Sequence, residues 1–204
     1  MRRLPGLLAG LAMLGGCLFR APDAPRFFRP GSVILDAAAE DGAEPPAKTG
    51  IAFRLRGVHS APFLRERIVW RASEVEYGLY AERRWIDLPA NYVERALRTR
   101  IRETPGLRLT DDARAPALHV DVLAFDDVVA PTRAANVVLG VRLADREEKH
   151  LLERRFDARV AIADADPASM AKAMGQALDD VVAQVAEAVR SSFQDRLNIR
   201  RKIR

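Results

Sequence analysis

The stretch "NVVLGVRLADREEKHLLERRFDARVAI", residues 136–162, decides how the chain is organised. Val137, Leu139, Val141 and Leu143 fall on one side of a period-two pattern, with Arg142 on the other. After the turn "REEKH", Leu152, Phe156, Ala158, Val160 and Ile162 repeat that period, and Arg154 is the single dissonant position. Upstream, "ALHVDVLAF" (117–125) sets Leu118, Val120, Val122 and Ala124 opposite His119 and Asp121. Period two in three successive segments predicts an antiparallel meander with one covered face.

Two segments of helical period supply the cover. Asp87 and Pro89 predict a helix start, as an N-cap carboxylate and a residue with preset φ. Tyr92/Val93, Ala96/Leu97 and Ile101 then recur at spacings of three and four, until Thr104-Pro105-Gly106 ends the run. Asp166-Pro167 opens a final helix with the stripe Met170, Met174, Leu178, Val181/Val182, Val185 and Val189. Gly175 inside it costs about 1 kcal/mol relative to alanine, which predicts a close approach there. Ile51, Phe53 and Leu55 alternate as a half-buried strand, and "RIVWRASEVEYGLYAERRW" (67–85) reads as strands at 68–72 and 75–80 around a tight turn. The order strands, helix, three strands, helix predicts an α+β domain over residues 51–190, an antiparallel β-sheet with two amphipathic helices packed on one face.

The front of the chain has a different grammar. "LAMLGGCLFR" (11–20) holds the only cysteine, Cys17. Arg2 and Arg3, the apolar run Leu4 to Leu14, and Gly15-Gly16 form the three parts of a secretory signal peptide over residues 1–16. The apolar run is about half the ~20 residues a transmembrane helix needs. Leu14-Gly15-Gly16-Cys17 resembles a bacterial lipobox. That resemblance implies cleavage between Gly16 and Cys17, a diacylglycerol on the thiol and an acyl chain on the new amine. Each buried CH₂ contributes about 0.8 kcal/mol, so several chains make a stable anchor where one is reversible. Leu18 stands where an aspartate would retain such a protein at the inner membrane. By resemblance to those sorting rules, the expected location is the periplasmic face of the outer membrane. Residues 17–50 read as a tether containing Pro22, Pro25, Pro30, Pro45 and Pro46. Its apolar islands, Phe27-Phe28 and Val33-Ile34-Leu35, could each add a short edge strand.

Composition narrows the function. Loss of Arg2 and Arg3 with the leader lowers the formal charge from +5 to +3. The remaining charges interleave except in the basic C-terminal tail, residues 191–204. Nucleic-acid recognition needs a concentrated basic face, so no nucleic acid is expected as a partner. The tail reads as solvated, or as drawn to anionic headgroups. No G-x-S-x-G, H-E-x-x-H or phosphate-cradling glycine loop occurs, and His59, His119 and His150 are scattered. Asp126-Asp127 and Asp179-Asp180 are expected to face solvent. No catalytic residue, metal or cofactor is assigned beyond the lipid on Cys17. All Trp and Tyr residues (Trp70, Tyr77, Tyr80, Trp85 and Tyr92) lie within 23 residues. Such a cluster serves either as cross-strand packing or as a rim for a protein partner, which makes Trp70, Tyr77, Tyr80 and Trp85 the candidate partner-binding residues.

The segment "RERIVWRASEVEYGLYAERRWIDLPANYVERALRTRI" (65–101) resembles the central part of the ABC-type transport auxiliary lipoproteins, the PqiC-like group. The matching positions are Ile68, Val69, Trp70, Arg71, Tyr77, Arg84, Trp85 and Leu97. The lipobox, the short aromatic segment Phe27-Phe28, the meander and the last helix follow in that family's order. The resemblance implies a non-enzymatic component of an intermembrane lipid-transport system, working beside an MCE-domain protein and an ABC transporter that hydrolyses ATP. It implies docking or capping of a conduit, for which a homo-oligomer would suit a tubular partner. A lipid-binding carrier and an outer-membrane assembly lipoprotein share the same anchor and remain open alternatives. The leader predicts that Cys17→Ser abolishes palmitate labelling of the chain and leaves residues 1–16 uncleaved, read by metabolic labelling and by the mass of the chain.

Overall fold

The computed structural model describes residues 24–40 and 49–202, with side chains to residue 36 in the first stretch and to residue 194 in the second. The lipobox, with Gly16 and Cys17, lies outside the described residues. Eleven elements follow in order: β1 (Arg26–Phe28), α1 (Val33–Glu40), β2 (Ile51–Ser60), β3 (Arg67–Arg71), β4 (Tyr77–Trp85), α2 (Pro89–Glu103), β5 (Leu107–Leu109), β6 (Ala117–Val128), β7 (Ala134–Ala144), β8 (His150–Ala161) and α3 (Pro167–Lys202). The class is α+β, as the periodicity predicts.

The meander β6-β7-β8 forms by antiparallel pairing along nearly its whole length. The rest of the sheet is not antiparallel. It is mixed, because β7 occupies one edge of β6 from Ala117 to Val128. The other edge must then serve two strands: β2 pairs parallel with residues 117–122, and β3 pairs parallel with residues 126–128. β4 adds antiparallel to β3, β1 adds parallel to β4, and β5 adds parallel to β2. Parallel neighbours need crossover connections, and such pairing partners leave no local mark on a sequence.

A β-bulge between Val122 and Ala124 divides β6. Before it Leu118, Val120 and Val122 enter the core, and after it Phe125 does. The expected continuation to Ala124 therefore fails by one residue, since an extra residue exchanges the faces. α2 and α3 cover the core face. Trp85 is buried there against Tyr92 and Phe125, with ring centroids 6.4 and 5.4 Å away and edge-to-face geometry. Met170, Met174, Leu178, Val181, Val182, Val185 and Val189 of α3 are all buried, as their spacing predicts.

Helix starts follow local chemistry with one correction. Asp166 Oδ1 accepts the N–H groups of Ala168 and Ser169 at 2.8 and 3.1 Å, as an N-cap does. Asp87 is not the N-cap of α2. That position is Leu88, and Asp87 one residue earlier accepts from Leu88 N–H, Asn91 Nδ2 and Arg95 instead. Burial opposes ionisation of Asp87, but the donors from Arg95, Asn91 and Leu88 prevail and hold its pKa below the usual carboxylate value. At the C-terminus α3 continues to Lys202, well into the stretch read as a tail.

The folded unit also reaches further upstream than residue 51. Phe27-Phe28 forms the edge strand β1, whereas Val33-Ile34-Leu35 begins a helix with Ile34 and Leu35 buried. Ser32 supplies the reason, because its Oγ accepts Leu35 N–H at 3.0 Å. Asp179 on α3 accepts both the Ser32 hydroxyl and Val33 N–H, so α3 helps to cap α1. Burial raises the Asp179 pKa despite these donors. Beside this cap the chain crosses α3 at Gly175. A Cβ there would fall 2.1 Å from the Gly31 carbonyl carbon, and Gly31 N–H donates to Ala171 O at 3.0 Å. The structure predicts that Gly175→Ala destabilises the fold by about 1–3 kcal/mol despite better helix propensity, because backbone must move. At Gly140 the nearest atom would be Leu123 Cδ1 at 3.4 Å, so Gly140→Ala is expected to be much milder. Paired denaturant titrations compare the two.

Candidate functional site: the open face of the sheet

Each strand that sends one set of side chains toward α2 and α3 sends the other set to the opposite face. On that face a groove with a volume of about 1250 Å³ runs across β3, β4, β6, β7 and β8 beneath the β2–β3 loop. Val69 and Val138 lie in its floor, and the bulge adds Ala124 to the face that Leu123 already shares. Phe63, Tyr77, Leu79 and Leu123 line it while 49, 49, 47 and 42 % exposed. Large apolar side chains gathered in one concavity, rather than scattered singly, mark a surface built for contact.

Tyr77 is positioned from two sides. Its ring meets Phe63 edge to face at 6.2 Å, and the Arg71 guanidinium lies 5.9 Å from its centroid. Arg71 is itself held by Asp126, Nε to Oδ2 at 2.7 Å, and Asp126 Oδ1 accepts Asn136 Nδ2 at 2.8 Å. Asp127, the next residue, points the other way. It accepts Tyr80 Oη at 2.8 Å, and Arg133 Nη2 and Nε at 2.7 and 3.1 Å. Both acids are buried, contrary to the expectation that Asp126-Asp127 would face solvent. Each carboxylate meets its own arginine, so alternate burial on two faces is sustainable. Asp180 is exposed as expected, whereas Asp179 is held at the α1 cap.

The four candidate aromatics separate. Trp85 is in the core and is not available to a partner. Trp70 is half-buried over Gly78, where an added Cβ would meet its Cζ2 at 2.1 Å, so this pair fixes the β3–β4 hairpin. Tyr80 is committed to Asp127, with Arg83 stacked 4.2 Å from its centroid. Only Tyr77 lines the groove. Periodicity did not single out Phe63, Leu79 or Leu123. The signal for Leu123 was present in the adjacent apolar pair Val122-Leu123, which breaks strict alternation and marks the bulge.

Among the described residues no cluster of three or more His, Cys, Asp or Glu could hold a metal ion, and no helix is long and apolar enough to cross a membrane.

The family model for the ABC-type transport auxiliary lipoprotein component matches residues 34–186. The chain belongs to this family. Its members are lipoproteins auxiliary to an ABC-type transport system, which implies a membrane-anchored chain on the periplasmic side and association with that system. Protein XCC0632 from Xanthomonas campestris has a similar fold, with a TM-score of 0.66 at 20% identity, covering 85% of this chain and 99% of that one. A second solved structure, of an uncharacterized protein, gives 0.63 at 13% identity over 82% and 99%. No protein of curated function matches the sequence.

The Asp127 cluster carries the prediction for this site. Asp127→Ala leaves Arg133 and Tyr80 without their acceptor and is expected to cost about 3 kcal/mol in a denaturant titration. Burial, then the hydrogen bond to Asp127, raises the Tyr80 pKa above 10. Its stabilising contribution is therefore complete below the unfolded-state pKa and is lost as pH rises through the folded one. Tyr80→Phe should remove that alkaline dependence.

Proposed function

We propose that this chain is an accessory lipoprotein of an ABC-driven, MCE-type intermembrane lipid-transport system, docking or scaffolding without catalysis. In this reading Cys17 carries the diacylglycerol and acyl chain that hold it at the periplasmic face of the outer membrane. The observation that carries the reading is the open sheet face: a protein whose helices seal one side of its sheet leaves, on the other, a large groove in which Phe63, Tyr77, Leu79 and Leu123 are exposed. Such a surface acts by contact, and in a chain of this family the contact is with transport machinery or its cargo. The polar groups nearest the groove floor, Asp126, Arg71 and Asn136, are engaged with one another, which suits a supporting role rather than reaction chemistry.

The test is mild crosslinking of the full-length, membrane-anchored chain, then affinity capture and mass spectrometry. The expected recovery is an MCE-domain protein together with an ABC permease. Recovery of an outer-membrane β-barrel without them would replace this reading with an assembly role.

A further inference from the structure

We infer that the groove on the open sheet face holds an acyl chain of an anionic phospholipid, whose phosphate sits on Arg67 and Arg84. The inference rests on the reading of this face as a contact surface and names what it contacts.

The floor excludes a peptide more strongly than an acyl chain. Val69, Leu123, Ala124, Asn136 and Val138 project from β3, β6 and β7. Val69, Asn136 and Val138 are each paired on both sides: Val69 with Leu79 and Asp126, Asn136 with Asp126 and Arg159, and Val138 with Ala124 and Asp157. A peptide lying over these three residues would bury N–H and C=O groups against backbone that is already paired on both sides. Hydrocarbon brings no such groups. The volume of about 1250 Å³ also exceeds the roughly 300–1,000 Å³ typical of compact small-molecule pockets, and suits a long flexible chain.

The rim supplies the sign of the headgroup. Arg65, Arg67, Arg71, Arg84 and Arg155 line the groove, against Glu66 and Asp157. Arg71 is neutralised by Asp126. Arg67 and Arg84 are register partners across the β3–β4 pair, and neither has an acidic partner among the described residues. Like charges directly opposite each other destabilise a sheet, and an anion between them removes that repulsion. A phosphate at the mouth with its chain over Val69, Leu79 and Leu123 meets both demands.

The test is site-specific photocrosslinking of the full-length chain in its native membrane. The photoreactive residue p-benzoylphenylalanine replaces Leu79, Leu123 or, outside the groove, the exposed Ile86, and adducts are identified by mass spectrometry. Anionic phospholipid adducts are expected at positions 79 and 123 and not at 86. Combining Arg67→Glu and Arg84→Glu should reduce those adducts roughly tenfold or more, since each basic residue near an anionic headgroup contributes about 1 kcal/mol. An unchanged thermal midpoint certifies the fold. If the reversal unfolds the chain, Arg67→Gln with Arg84→Gln provides the same comparison at lower cost. Equal labelling at all three positions, adducts of zwitterionic lipid alone, or adducts of protein in place of lipid would each overturn the inference. Capture of the transporter components by the same variants separates the two readings. Components recovered without a lipid adduct refute the groove assignment alone, and a lipid adduct without components refutes the docking role alone.

Discussion

Everything in this fold depends on how β6 divides its hydrogen bonds. One edge is filled along its length by β7, so β2 and β3 must share the other. The bulge at Leu123 lies between those two partners. It adds a residue, bends the strand and exchanges which side chains face the helices. Phe125 thereby enters the core beside Trp85, and Ala124 joins Leu123 on the open face. The same shift sends Asp126 toward Arg71 and Asp127 toward Arg133. One inserted residue thus sets the register of the hairpin, the placement of two buried carboxylates and the shape of the groove.

The two ion pairs illustrate how specificity and stability separate. Burying a carboxylate costs several kcal/mol, and an adjacent guanidinium roughly offsets that cost without a large surplus. What the pairs secure is position. Arg71 reaches Asp126 and also lies over Tyr77, so β3, β4 and β6 are held in a single relative arrangement. Arg133 reaches Asp127 and the carbonyl oxygen of Ala165, which ties the β6–β7 turn to the approach of α3. A slip of one residue in β6 would strand both carboxylates on the wrong faces. The groove is therefore rigid where its polar side is concerned and exposed where its apolar side is.

On the other side of the sheet, the approach of residues 29–32 to α3 explains features that look unrelated in the sequence. Gly175 permits backbone contact, Gly31 donates to Ala171, and Asp179 receives the first donors of α1. Residues 31–35, inside the segment read as a tether, are thus anchored by three polar contacts and the burial of Ile34 and Leu35. The segment that joins the leader to the domain is in this way partly a structural element of the domain.

The sequence by itself determined the α+β class, the meander, both long helices and the close approach at Gly175, because each is written in local periodicity or in a single residue's steric need. Its order of motifs also carried the family. It misread Asp126-Asp127 as solvated, since the arginines that pair with them come from β3 and from the β6–β7 turn. It grouped Trp85 with Tyr77, although one lies in the core and the other in the groove. Proximity along the chain cannot say on which face of a bulged strand a side chain emerges. The parallel pairings of β1, β2, β3 and β5, and with them the groove, were decided only by the tertiary structure. The physical reason is that their partners are set by which edge of β6 remains free once β7 has taken the other.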